Sequence, residues 1–329
     1  MVNPDGSGIM AGGQVSVLGS NDRNHVVSYT TDPTYALGKT IAGQINNQVS
    51  SHYFVYDHAN ASPTIAAGLH GEFVDTKSGE YKLPFGYRAV VDLALNATIS
   101  GSTGIHQEIM AGKGNLTFTA TGGGEIAAGD GKDSISVGGS HRWNIAVGDG
   151  NDTIDALGSG AHTIVAGTGH DSITLGKGYD HVTVNGAATV VAGGGTATIF
   201  GTKGFTFIGG TGTDSVIGGD TGGNAFTAGK GNETLVGAPS SIGSLSGTIP
   251  NRHGSDAFTF IKGEAGGHDT IVNFSPGDVV NLEGYGPNEI KNDLKHAVTK
   301  DGSTTITLSD KTTITFLDVT KLNPTSFHS

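Results

Sequence analysis

The stretch Ala128–Thr174, AGDGKDSISVGGSHRWNIAVGDGNDTIDALGSGAHTIVAGTGHDSIT, decides how this chain folds. Within it, Ala128-Gly-Asp-Gly-Lys-Asp133-Ser-Ile-Ser136, Val147-Gly-Asp-Gly-Asn-Asp152-Thr-Ile-Asp155 and Ala166-Gly-Thr-Gly-His-Asp171-Ser-Ile-Thr174 recur at a spacing of 19. Each has Gly at the second and fourth places, Asp at the sixth and Ile at the eighth. Ile145 and Ile164 fall between them and halve the period. Outward from this stretch the same beat continues as Ile99, Ile109, Phe118, Ile126, Ile135, Ile145, Ile154, Ile164, Ile173, Val182, Val191, Ile199, Ile208, Val216, Phe226 and Leu235, with steps of eight to ten residues. Such a step is too long for a helix face or an alternating strand. It fits the half-turns of a solenoid, each a turn followed by a short strand with one apolar side chain inward. No half-turn can bury its own apolar residue, so the stack is the folding unit.

Composition bounds the partners. The chain has 329 residues, 56 of them Gly, with 15% charged residues and a formal net charge of −12. It lacks the Gly-x-y period of collagen and is too apolar for disorder. The negative charge argues against nucleic acid, which needs a cationic face, and suits divalent cations. With no cysteine there is no disulfide and no thiolate metal site. The opening Met1-Val-Asn-Pro-Asp-Gly has neither the basic nor the apolar region of a cleaved signal. No apolar run approaches the ~20 residues that span a bilayer, so no membrane span is expected.

Four regions are expected. Residues 1–91 hold six of the eight tyrosines, Tyr29, Tyr35, Tyr53, Tyr56, Tyr81 and Tyr87, and read as a small β unit covering the N-terminal end of the solenoid. Its strands are expected at Val15–Leu18, His25–Thr30, Ser51–Tyr56 and Tyr87–Leu95. Residues 92–237 are the roll, 238–254 a linker, and 255–329 a C-terminal β cap. In the cap, strands are expected at Ala257–Ile261, Asp269–Phe274, Val279–Leu282, Thr304–Leu308 and Thr312–Phe316. The single helix is expected at Asn288–Val298. The fold class is all-β, a parallel β-roll or β-solenoid with flanking β units.

The three turns resemble the calcium-binding nonapeptide repeat of RTX exoproteins, Gly-Gly-x-Gly-x-Asp-x-aliphatic-x, with Ala or Val in place of the first Gly. The residue types support the same chemistry. Glycine permits positive-φ turns and close backbone approach, which aim carbonyl oxygens into one cavity. The sixth-place Asp adds a hard anionic oxygen. Ca2+ takes six to eight oxygens at about 2.3–2.6 Å, a number that two stacked loops can supply and one cannot. Alternate half-turns lie on opposite edges. One edge reads Ala97, Leu116, Asp133, Asp152, Asp171, Thr189, Thr206, Asn224; the other reads Gln107, Gly124, Trp143, His162, Asp180, Ala197, Asp214, Glu233.

The candidate ligands are Gly129, Asp130, Gly131 and Asp133; Gly148, Asp149, Gly150 and Asp152; Gly167, Gly169 and Asp171. On the second edge they are Asp180, Gly210, Gly212 and Asp214, and Asp269 of the C-terminal region is a further candidate. The plainer alternative is that glycine serves the turns and Asp caps them through hydrogen bonds. The threefold register favours metal at Asp133, Asp152 and Asp171, while both readings stay open at Asp214. Rungs bearing Leu116, Thr189 and Thr206 are expected to be metal-free and held by apolar stacking.

Asp256-Ala-Phe-Thr-Phe, Asp269-Thr-Ile-Val-Asn-Phe-Ser-Pro-Gly-Asp278-Val-Val-Asn-Leu-Glu-Gly284 and Asp301-Gly-Ser-Thr-Thr-Ile-Thr-Leu-Ser-Asp310 resemble the closing module of RTX exoproteins such as serralysin-type peptidases. That resemblance implies an uncleaved C-terminal type I secretion signal and export to the exterior of a Gram-negative bacterium. It also implies that calcium binding drives folding outside the cell.

No catalytic motif stands out. There is no His-Glu-x-x-His, nucleophile elbow, phosphate loop or dinucleotide fingerprint in a suitable context. His52 and His58, His70 with Glu72 and Asp75, and the pair Trp143 and His162 are noted as weaker sites for metal, sugar or a partner. Three functions fit. The first is a non-catalytic, calcium-binding structural protein that self-assembles as a surface-layer, filament or biofilm-matrix subunit. The second is an enzyme on extracellular polysaccharide, for which no acid, base and neutralising cation can be named on one face. The third is an adhesin binding sugar through the Tyr-rich region.

Overall fold

The structure is a computed structural model describing residues 14–18, 24–29, 32–49, 53–57, 70–83, 87–101, 103, 106–238 and 255–329. The chain is all-β, with 50% of the described residues in strands, and forms a parallel β-solenoid of about 10 turns. It divides into two compact units, 1–173 and 174–329.

In the first unit, strands alternate between two parallel sheets. One takes Tyr53–Asp57, His70–Asp75, Tyr87–Asp92, Gln107–Ala111, Gly124–Ala128, Trp143–Val147 and Thr163–Ala166 in that order. The other takes Gly79–Lys82, Asn96–Ser100, Asn115–Ala120, Ser134–Val137 and Thr153–Ala156. The expected apolar beat becomes two in-register columns, Ile109–Ile126–Ile145–Ile164 and Ile99–Phe118–Ile135–Ile154, none more than 1% exposed. Parallel pairing continues N-terminally past residue 92 to Tyr53–Asp57, so the described strands of 53–91 belong to the coil.

The N-terminal segment differs from expectation. Gln14–Leu18 and Asn24–Ser28 form an antiparallel pair, and Asp32–Val49 is a helix, α1. Together they pack on the outer face of a sheet, where Val15, Val27, Ile41, Ala42 and Ile45 meet Ala89, Val91, Met110 and Ala127. The segment therefore covers a side of the coil rather than an end. Gly38, Gly43 and several β-branched residues give α1 poor intrinsic propensity, so its stability comes from this packing. Gly38 is needed for it: a Cβ there would lie 2.5 Å from the buried Tyr29 ring.

In the second unit one sheet runs Tyr179–Val184, Thr196–Gly201, Thr213–Ile217, Asn232–Val236, His268–Val272 and Thr313–Phe316. The other runs Ala187–Val191, Thr206–Ile208, Ala225–Thr227, Ala257–Ile261, Val279–Glu283 and Phe327–His328. Val298–Lys300, Ser303–Thr307 and Thr313–Phe316 close one edge as antiparallel hairpins. Asp301 and Gly302 take φ of 51° and 82°, the double left-handed turn that two-residue hairpins prefer. The expected helix is α2, Pro287–Lys295, ending earlier than predicted because Val298 enters a strand.

Two residues of the beat are misassigned. Val190 and Phe207 point inward at 0% exposure, whereas Val191 is half-buried and Ile208 is 37% exposed. Val190 pairs with Phe207 and Phe207 with Phe226, steps of 17 and 19 residues. Side chains alternate faces every residue, so a one-residue error in phase reverses the assignment. The inward sixth-place residues on these rungs are thus Ala188 and Phe205, not Thr189 and Thr206. From Phe205 an aromatic column runs through Phe226, Phe258, Phe274, Phe316 and Phe327 at centroid separations of 5.0 to 6.2 Å. Each such pair contributes about 0.5–1.5 kcal/mol beyond the area it buries.

Candidate metal centre

The sixth-place acids Asp133, Asp152, Asp171 and Asp214, and Asp269 after them, are buried near the start of a strand, and each caps a backbone N–H of the preceding coil. In the first unit Asp133 Oδ1 accepts the Leu116 N–H at 2.8 Å, Asp152 Oδ1 the Asp133 N–H at 2.8 Å, and Asp171 Oδ1 the Asp152 N–H at 3.0 Å. All three side chains are at most 3% exposed. One carboxylate oxygen is thus used as a rung. The other, Oδ2, is buried without a hydrogen-bond partner in all three.

The turns above these rungs are stacked too closely for any side chain. A Cβ on Gly148 would lie 2.5 Å from the Gly129 carbonyl oxygen, and one on Gly167 would lie 2.1 Å from that of Gly148. One on Gly150 would fall 1.8 Å from the Gly131 oxygen and 3.1 Å from Asp152 Oδ1, so carbonyl and carboxylate converge beside that Cα. Gly131 and Gly169 also hold φ of 143° and 144°, a region L side chains rarely adopt. Asp149 accepts the Thr168 hydroxyl at 2.6 Å, bracing adjacent turns.

The second unit repeats the arrangement. Asp214 Oδ1 accepts the Ala197 N–H and Asp269 Oδ1 the Glu233 N–H, both at 2.9 Å, while Glu233 Oε1 accepts the Gly229 N–H at 3.3 Å. Asp214 Oδ2 is again buried and unpartnered. Glu233 and Asp269 bury their carboxyls against each other, and the protonated Glu233 carboxyl donates to Asp269. The ladder runs through Ala197, whose N–H is capped like the others. Asp180 is buried at the same position one coil earlier. The glycine column is longer than expected: Cβ atoms on Gly193, Gly210 and Gly229 would each fall within 2.1 Å of the carbonyl oxygen one coil back, and so would those on Gly195, Gly212 and Gly231. Gly210 and Gly212 sit inside it. The missed signal was a Gly-x-Gly two residues ahead of each inward ladder residue, at Gly176 before Asp180, Gly193 before Ala197 and Gly229 before Glu233.

Two further rungs show what a purely structural Asp looks like here. Asp256 Oδ1 accepts from Asn224 and its Oδ2 takes the Ala238 N–H at 2.7 Å. Asp278 Oδ1 accepts the Asp256 N–H, and its Oδ2 takes the N–H and hydroxyl of Ser275. Both oxygens of both residues are satisfied by protein donors. The contrast separates capping aspartates from the four acids with an orphaned oxygen, Asp133, Asp152, Asp171 and Asp214. An orphaned buried acceptor costs about 1–3 kcal/mol, more if charged.

Burial is the first cause pushing these groups up: Asp133 to about 8, Asp152 to about 7 and Asp214 to about 6, with neighbouring carboxylates adding to it and the backbone N–H opposing it. Asp171 and Asp278 are raised for the same leading reason. Glu233 is raised by burial and then by the facing Asp269 carboxyl. With folded values above the unfolded ones, the stability these groups contribute is full below about pH 4 and is lost as pH rises towards 8. Chelated protein is therefore expected to melt higher near pH 5 than near pH 8. A thermal melt at each pH checks this, and a higher midpoint near pH 8 would contradict it.

Trp143 and His162 are buried, not a surface patch; His162 Nδ1 accepts the Trp143 N–H at 3.3 Å, so a neutral imidazole takes over the rung. Burial lowers its pKa, consistent with that role. Among the tyrosines, Tyr29 and Tyr87 are buried, and Tyr81 packs on Phe73 at 5.1 Å. His52, His58 and residues 239–254 lie outside the described residues. Among the described residues no three His, Cys, Asp or Glu side chains converge on one point, so any cation here would draw on backbone carbonyls as well. No described helix is long and apolar enough to cross a membrane. Compared with protein-family models and with curated protein sequences, the chain matches none.

Proposed function

We propose that the chain is a non-catalytic calcium-binding structural protein that folds outside the cell and self-associates there. One observation carries the calcium reading: four buried acids share a ladder position, each with one oxygen unpartnered, beside columns of glycine turns that bring carbonyl oxygens close. The donor set is all oxygen, with negative charge and no sulfur, which suits Ca2+ over softer metals. Asp133, Asp152 and Asp171 would hold ions with Gly129, Gly131, Gly148, Gly150, Gly167 and Gly169; Asp130 and Asp149 lie in the same turns. In the second unit Asp180, Asp214, Glu233 and Asp269 would do so with Gly210 and Gly212. Bound calcium supplies the positive charge that lets these carboxylates ionise while buried, and so binding energy becomes folding energy.

Export by a type I route to the surface of a Gram-negative cell rests on the resemblance of the repeats and of residues 256–310 to RTX exoproteins. Self-association is supported by apolar side chains that the coil leaves in water. Phe200 and Ile217 are register partners on one sheet at 43% and 38% exposure, and Tyr179 is 77% exposed. Sedimentation velocity tests the reading. Growth from slow, extended monomers in chelator to large discrete species in millimolar calcium is the expected result. Compaction without growth would remove self-assembly and keep calcium.

A further inference from the structure

Outside the metal ladder, the first unit carries an open groove of about 590 Å³ on the outer face of one sheet, bordered by Gln44 of α1. Arg88 and Arg142 both line it. The chain has only four arginines, so half of them meet at one place on a molecule of net charge −12. Among the described residues neither guanidinium is paired with a carboxylate. Arg142 is instead aimed by a neutral group: its Nε and Nη2 donate to Asn144 Oδ1 at 3.1 and 2.9 Å. Asn144 Nδ2 in turn donates to Glu125 Oε1 at 3.1 Å. Nη2 also makes a long contact, 3.5 Å, to Thr163 Oγ1. This relay fixes the guanidinium while leaving both Nη1 N–H groups, and the weakly held second N–H of Nη2, for a ligand.

The floor is acidic. Glu108, Glu125 and Asn144 are register partners on three successive coils, so two like charges stand directly opposite each other, an arrangement that is unfavourable by itself. Glu125 Oε2 is buried and has no hydrogen-bond partner. His141 lines one side, and His106 the other with a left-handed φ of 61°, a conformation rare for a residue other than glycine.

We propose that this groove binds a short segment of an acidic polysaccharide, a chain of sugar rings bearing carboxylates. Arg88 and Arg142 recognise the sugar carboxylate, for which the guanidinium fork is matched in shape. Glu108, Glu125 and Asn144 take the ring hydroxyls as donors. The mixture decides the ligand class: a simple anion has no protons for the glutamates, phosphate carries only one or two and on the same atoms that the arginines bind, and a neutral sugar leaves the arginines without a partner. The volume lies within the range of sites for ligands larger than a single ring. This inference is independent of the metal ladder, because none of these side chains belongs to it.

The test is calorimetric titration of the calcium-loaded full chain with a galacturonate trimer, too short to gel, beside the neutral galactose trimer and inorganic phosphate. The expected result is saturable binding of the uronate alone. Arg88→Gln and Arg142→Gln should each weaken it at least tenfold, about 1.4 kcal/mol. Arg142→Lys should also weaken it, since an ammonium cannot form the fork. Arg88 makes no hydrogen bond among the described residues, so Arg88→Gln decides the matter if Arg142→Gln disturbs folding. No uronate binding to the folded chain, undiminished binding in both glutamine variants, or phosphate competing as well as the sugar acid would each overturn the proposal.

Discussion

In saturating calcium, Asp152→Asn is expected to melt roughly 10–20 °C below the unsubstituted chain; in chelator near pH 8 it is expected to melt above it. The crossing follows from the two oxygens of this residue. Oδ1 caps the Asp133 N–H, a role the asparagine carbonyl retains. Oδ2 is buried and unpartnered, and burial pushes the group to about 7, so an ionised Asp152 opposes folding whenever no cation is present. The amide removes that charge. With calcium the balance reverses, because Asp152 lies between Asp133 and Asp171 and would serve two loop pairs. Two sites each occupied at a hundredfold over Kd stabilise by about 5 kcal/mol together, and about 2–4 °C accompanies each kcal/mol in units of this size. Asp152→Ala should be lower than Asp152→Asn in both conditions, since it also leaves the Asp133 N–H unpaired at about 1–3 kcal/mol. Melts of the three proteins with and without chelator give the answer; parallel curves for Asp152→Asn and the parent would reject a metal role.

Gly169→Ala should be more damaging still and should not respond to calcium. Its Cβ would fall 1.5 Å from the Gly150 carbonyl oxygen, a backbone atom that cannot rotate away, and φ is 144° besides. The loss should exceed about 4 kcal/mol, the range reserved for a definite structural failure. Gly138→Ala is the matched control. It lies in the same repeat with nothing within 4 Å of its Cβ, so its midpoint should stay within about 0.5 kcal/mol of the parent. Circular dichroism melts of both variants distinguish stacked turns from glycine that is merely tolerated. Equal melts would mean that the coils stand farther apart at Gly150 and Gly169.

Most of the coil was legible because its signal is periodic and local. The inward Ile residues and the Asp of the first three repeats sit at fixed offsets from Gly-x-Gly, and the structure buries each of them. Val191 and Ile208 were misread where the coil shortens to 17 residues, since the apolar pairs Val190-Val191 and Phe207-Ile208 leave the phase ambiguous in sequence. The helix α1 was missed because Gly38 and Gly43 argue against it; Pro33 in the first turn and the spacing of Ile41, Ala42 and Ile45 argued for it. Its partner surface, the outward Ala89, Val91, Met110 and Ala127, is assembled from three strands and cannot be seen along the chain. The groove is hidden for the same reason. Glu108, Glu125 and Asn144 each precede an inward Ile, but they become one column only when successive coils are laid in register. The distinction between metal-poised and capping acids was not legible at all: it depends on donors such as the Ala238 and Ser275 N–H groups reaching Asp256 and Asp278.

The most direct test of the central claim is equilibrium calcium binding to the full chain, measured beside Asp133→Asn/Asp152→Asn/Asp171→Asn. The account predicts saturable binding at or below the millimolar range typical of extracellular calcium modules. It also predicts that the triple variant, still folded through its retained rungs, loses about two ions, one for each neighbouring pair of loops. A folded parent chain that binds no calcium at roughly 10 mM, well above that range, or a triple variant with undiminished stoichiometry, would contradict it.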